Sequence, residues 1–218
     1  MTRVIKTTTT GRGLKKLLLV ALMILSSMTG KAQFNTDRLL MVGQSALYYE
    51  DYVLSIQYFN QVISAKPYLY EPWFYRGVAK FYLDDYQGAE NDCTEALGRN
   101  PFVVSVYELR GLCRIRQDNF AGAVKDYDKA LKYDPENRNL WHNRVLCHIQ
   151  QKEYDVALAQ IDTMLTRWSK NAKVYAMQAE VYMLQKDTTK AVVALDKSIA
   201  IDPYDGSLWS QKAIISMA

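Results

Sequence analysis

The sequence is poor in the residues that interrupt a chain, with 10 glycines and 5 prolines in 218 residues. So few turn formers argue against a sandwich or barrel of many short strands and favour long helices. Cysteine occurs only at Cys93, Cys113 and Cys147, an odd number that excludes a fully paired disulfide scaffold. Small buried packing is the expected role of all three. Histidine occurs twice, at His142 and His148, six residues apart and so on different faces of a helix. Without a Cys-x2-Cys or His-Glu-x2-His spacing, no metal site is expected. Neither phosphate-loop pattern is present, and Gly11-Arg12-Gly13 falls in the leader. Carboxylate pairs such as Asp84-Asp85 sit where helix capping explains them. The chain is therefore expected to have no catalytic residues and no cofactor, and not to be an enzyme. Asn-x-Ser/Thr is absent as well, which favours a bacterial envelope over a eukaryotic secretory route.

The N-terminus has its own composition. Arg3, Lys6, Arg12, Lys15 and Lys16 form a positive leader without an acid, and Leu17 to Met28 is a short apolar run. A bilayer span needs about 20 apolar residues. Thr29-Gly30-Lys31-Ala32 then offers small residues at an exit site. Residues 1–32 read as a secretory signal peptide cut after Ala32, an uncleaved signal anchor being the alternative. Export to the periplasm or cell envelope is expected, with no stable membrane span after cleavage. Six of the 27 basic residues lie in 1–32, leaving 21 against 23 acids. The mature chain is thus slightly acidic, and nucleic acid is not an expected partner.

From residue 36 the sequence repeats. Pro67, Pro101, Pro135 and Pro203 are spaced by 34, 34 and 68 residues, with Ser169 in the skipped slot. With each of these slots as position 32, units run 36–69, 70–103, 104–137, 138–171 and 172–205. Position 4 holds Leu39, Trp73, Tyr107, Trp141 and Tyr175, and position 8 holds Gly43, Gly77, Gly111, Val145 and Ala179. Position 17 holds Tyr52, Tyr86, Phe120, Tyr154 and Thr188, and position 20 holds Ser55 and then Ala89, Ala123, Ala157 and Ala191.

Small residues at positions 8 and 20 let two helices approach closely, while aromatics at 4 and 17 fill the flanking space. A proline at position 32 ends the second helix. Asp51, Asp85 and Asn119 suit the start of second helices. The expected helices are 36–49, 53–66, 70–83, 87–99, 104–117, 121–134, 138–151, 155–168, 172–185 and 189–201. Residues 206–218 begin a sixth unit or cap the stack, and their apolar end, Ile214 to Ala218, is expected to be covered by a partner or further chain.

This pattern resembles the tetratricopeptide repeat, most fully over Tyr107, Gly111, Phe120, Ala123, Tyr127, Ala130 and Pro135, and the resemblance spans residues 36–203. It implies an all-α, right-handed superhelical solenoid of five helical hairpins (33–205) plus a C-terminal helix. It also implies a groove lined by first helices. Carried over by position, the groove residues are Phe74, Tyr75, Val78, Phe81, Tyr82, Leu109, Leu112, Arg116, His142 and Asn143. Phe81, Leu112 and Ile149 fit core packing or partner contact equally, whereas Phe74, Tyr75 and Tyr82 lean toward contact. The family's clamp for C-terminal carboxylates needs Lys at position 5, where Leu40, Phe74, Glu108, His142 and Ala176 stand, so a terminal carboxylate is not the expected ligand.

Arg76, Arg110 and Arg144 occupy position 7, and Asp92 and Asp126 occupy position 23, where the fourth unit has Gln160. These five charges are expected to be structural, paired within a hairpin or between neighbours (Asp92 with Arg110, Asp126 with Arg144). The expected function is an exported protein-binding scaffold holding a peptide or partner helix in an apolar, aromatic groove. The alternative is an assembly module or homo-oligomer that buries the groove or the C-terminal end. Stacked tyrosines also fit a glycan, but no polar cluster accompanies them.

Overall fold

A computed structural model describes residues 35–216. The leader and its cleavage site lie outside the described residues, as do Met217 and Ala218. Eleven helices follow one another and no strand occurs among the described residues. They are α1 (35–48), α2 (Tyr52–Ala65), α3 (Glu71–Tyr82), α4 (Tyr86–Arg99), α5 (Val104–Arg116) and α6 (Phe120–Tyr133). The rest are α7 (Arg138–Gln150), α8 (Tyr154–Arg167), α9 (Ala172–Leu184), α10 (Thr188–Ile201) and α11 (Gly206–Ser216). From α2 to α10 both ends, and in α1 the C-terminal end, fall within one residue of expectation.

Local chemistry explains the punctuation. Between first and second helices the chain turns through Glu50, Asp84, Asp118, Lys152 and Lys186, all with φ near +60°. In the Asp84 turn, the Asp85 N–H donates to Lys80 O (2.9 Å) and the Asp84 N–H to Phe81 O (3.1 Å), satisfying the last carbonyls of α3. Asp51, Asp85, Asn119 and Asp187 then accept from backbone N–H groups in the first turn of the next helix. Glu153 breaks the series. It leaves its N-cap unmade, and its Oε2 lies 2.6 Å from His148 Nδ1.

Successive helices from α2 onward pack on their chain neighbours, so the core is a seam along the stack. The alanines at position 20, from Ala89 to Ala191, are buried in every unit that has one. Position 8 proves to be small for a more specific reason. An added Cβ would lie 2.7 Å from the Phe59 ring at Gly43 and 2.7 Å from the Tyr127 ring at Gly111. At these two crossings the partner is the position-24 side chain, beside the alanine column, whereas at Gly77 an added Cβ would first meet the Ala89 carbonyl oxygen at 3.3 Å. Units with an aliphatic at position 24, Ile161 or Leu195, carry Val145 or Ala179 instead of glycine.

The position-4 aromatics fill space and also make a polar contact. Trp73, Trp141 and Trp209 donate Nε1–H to the carbonyls of Pro67, Pro135 and Pro203 (2.9–3.2 Å), and the Tyr107 hydroxyl donates to Pro101 O (3.1 Å). Proline thus ends one unit while its carbonyl receives the first helix of the next.

Candidate functional site

The charged columns form a ladder along the stack. Arg76 makes a bidentate pair with Asp92 (2.8 and 2.6 Å), and Lys80 adds a third contact at 2.9 Å. Arg110 pairs with Asp126 through Nε and Nη2, and Arg114 joins Asp126 to Glu90 at 2.8 Å each. Pairing is therefore within a hairpin. Both aspartates are almost wholly buried, which is tolerable only with such complete bonding.

The fourth unit departs from both arrangements considered for it. Arg144 reaches Asp128, not Asp126, at 3.3 Å, and the buried Gln160 Oε1 has no hydrogen-bond partner. Asp126 is already filled by two arginines of its own unit, which leaves nothing for Arg144. A second rung joins units and was not anticipated: from the second unit on, the position-7 side chain meets the residue 16 places earlier. Arg76 meets Asn60, Arg110 meets Thr94, Gln178 meets Asp162, and Lys212 meets Asp196. A polar column at position 25 was the available signal.

The groove residues divide between core and surface. Phe74, Val78 and Phe81 are half-buried against the core of units two and three. Tyr75 stacks on Phe59 (5.8 Å between centroids) and touches Phe74. Tyr82 is 59% exposed and lies parallel to Tyr52, with centroids 5.1 Å apart. Phe81 meets Tyr82 and Tyr86 edge-on, and the Arg116 guanidinium sits 5.7 Å from the Tyr86 ring. One aromatic surface therefore runs from Tyr52 through Tyr82, Phe81 and Tyr86 to Arg116. By sequence Tyr52 and Tyr86 are space-fillers, since position 17 recurs as an aromatic in most units; the structure puts both in ring contact with this surface.

Leu109 is a correction: it is buried, on the same face of α5 as Val106 and Cys113, three residues before it and four after. Ile149 is likewise core. Leu112 is half-buried. Beyond it, Ile115, Phe120, Leu146 and Gln150 line a shallow apolar cavity of about 280 Å³. Asn143 is half-buried, and His142 lines a different cavity, between units four and five. Its pKa lies below the ordinary value, first because burial removes water and then because Lys173 is near. The cysteines are buried and form no disulfide; a thiol hydrogen bond with Cys113, and then burial, raise the Cys93 pKa, and burial pushes the Cys147 thiol up to about 12.

No described helix is long and apolar enough to cross a membrane. The family model for the tetratricopeptide repeat matches residues 74–138, 114–172 and 148–206, more than half of the chain. No curated protein matches. Among solved structures, the chain is similar to YrrB, described as a TPR protein with an unusual peptide-binding site (14% identity, TM-score 0.70, 80% of this chain and 90% of that one). It is also similar to MamA from Desulfovibrio magneticus RS-1 (13%, 0.71, 78% and 97%). A third is the first TPR of Spaghetti (RPAP3) bound to HSP90 peptide SRMEEVD (24%, 0.52, 54% and 95%). At these identities the likeness concerns the fold alone. With the repeat columns, the paired helices and the family model in agreement, the chain belongs to the tetratricopeptide-repeat family.

Proposed function

We propose that this chain is an exported, non-catalytic scaffold that holds a peptide or partner helix on its first-helix face. The observation that carries this reading is the aromatic surface of units one to three, with Tyr82 more than half exposed and stacked on Tyr52. Rings at that spacing offer large apolar area at low entropic cost, and Arg116 at the edge supplies a donor fork for orientation. The peptide-binding site described for YrrB and the HSP90 peptide bound to the first TPR of Spaghetti support peptide binding as a use of this fold. The carboxyl-terminal clamp is not carried over, because position 5 lacks lysine throughout.

The test is crosslinking capture with residues 33–218 expressed in the cell envelope, comparing wild type with Tyr52→Ala/Tyr82→Ala. These rings are better targets than Phe74, whose removal would disturb the core. One partner retained by wild type and lost by the folded variant is the expected result. Undiminished capture by that variant refutes the groove assignment.

A second reading, assembly between copies, is favoured by the far end of the stack. There α11 leaves Ile214 68% and Trp209 51% exposed. Sedimentation over a concentration series checks it, and a strict monomer removes it.

A further inference from the structure

A cavity of about 510 Å³ lies where the starts of α7 and α9 converge. Arg138, Asn139 and His142 line it from α7, while Met164 of α8, Lys170, Asn171 and Lys173 complete its wall. No carboxylate lines it. Arg138 lies over the Trp168 ring at 5.3 Å, a contact that leaves its N–H fork unused by any acid. The lining lysines form no salt bridge; Lys173 acts at longer range, lowering the pKa of both Asp205 and His142. Acids face the other side of Lys173, where Glu180, Asp202 and Asp205 line an adjoining cavity that shares His142 and Lys173. Arg138, Lys170 and Lys173 thus share a cavity whose own lining holds no carboxylate, the nearest acids standing in the adjoining one. The two helix starts add their positive ends to the same space. Like charges left facing each other repel, and an anion between them relieves both the repulsion and the unused donors.

We propose that this cavity binds an acidic segment, consecutive Asp or Glu side chains, of the peptide held by the scaffold. The identity of the ligand as a peptide rests on the reading above; the anionic character of the site does not. His142, a groove residue by its position in α7, lines this cavity, which puts the cavity on the first-helix side of units four and five.

The probe is a fluorescent hexaglutamate peptide with both ends capped, so that only side-chain carboxylates are presented, titrated into residues 33–218. Hexaglutamine is the neutral control. Binding of hexaglutamate alone is expected, weakened about tenfold by Lys170→Gln/Lys173→Gln. Lys129→Gln/Lys132→Gln, an equal loss of charge on the exposed side of α6, should leave it unchanged. Absence of hexaglutamate binding, or equal weakening by both double variants, overturns the proposal. Displacement by millimolar inorganic phosphate, with peptide affinity indifferent to Lys170 and Lys173, overturns it too. Tyr52→Ala/Tyr82→Ala is expected to bind hexaglutamate normally, so failure of the aromatic groove and failure of this site are separate results.

Discussion

At the residue scale, the polar groups left without partners mark where substitutions will be informative. Tyr127 is wholly buried, and its hydroxyl has no hydrogen-bond partner. Burial accordingly holds its pKa above the ordinary tyrosine value. Tyr127→Phe removes a desolvated hydroxyl without opening a cavity, so it should be neutral or stabilising by about 1 kcal/mol in urea unfolding. A clear loss of stability would show that the hydroxyl has a partner such as buried water. Asp126 is the opposite case, because Arg110 and Arg114 both converge on it. Asp126→Ala strands two partly buried cations and should cost about 3–5 kcal/mol. A cost under about 1 kcal/mol would mean that the arginines simply swing out to water.

At the element scale, the hairpin turns and the helix crossings obey different rules. Every first-to-second turn places a non-glycine residue in the left-handed region. Asp118→Gly should therefore stabilise by about 0.5–1 kcal/mol, since glycine adopts that conformation without a Cβ clash. Thermal unfolding of the single variant checks it, and no gain would mean that the Asp118 side chain contributes as much as its backbone costs. At the crossing of α5 and α6, Gly111→Ala would press a Cβ to 2.7 Å from the Tyr127 ring and should cost about 1–3 kcal/mol. Adding Tyr127→Leu, which resembles the fifth unit's pairing of Ala179 with Leu195, should recover much of that loss. If the double variant is no better than the single one, the crossing is not set by this pair.

Much of this was legible in the sequence, because a 34-residue period repeats each local decision five times. Proline stops, cap residues and small-residue columns stood out by recurrence, so the helix ends followed closely. The groove was less legible. Leu109 and Leu112 are three residues apart and both apolar, yet one is buried and the other half-buried. Which of them meets solvent depends on how far the next hairpin overlaps the first helix, and no single-helix pattern contains that overlap.

At the scale of the whole molecule, the core is a series of clusters. The largest runs from Ala89 to Cys147, a second from Val145 to Val181, and a third from Ala179 to Ile215. Because each unit is held by its neighbours, stability should fall toward the ends. Native-state hydrogen exchange should therefore find the slowest amides in α5 and α6 and faster opening in α10 and α11. Equal protection along the stack would show that the chain unfolds as one unit.

The sequence by itself determined the hairpin as the unit, its number, its ends and its small-residue columns, because each depends on residues within one 34-residue period. Only the tertiary structure decided which side chains the stacking covers, that Asp126 takes both arginines of its own unit, and that Arg138, Lys170 and Lys173 share one cavity. Those outcomes depend on how one unit is set against the next, and a helix cannot tell from its own face what its neighbour will hide.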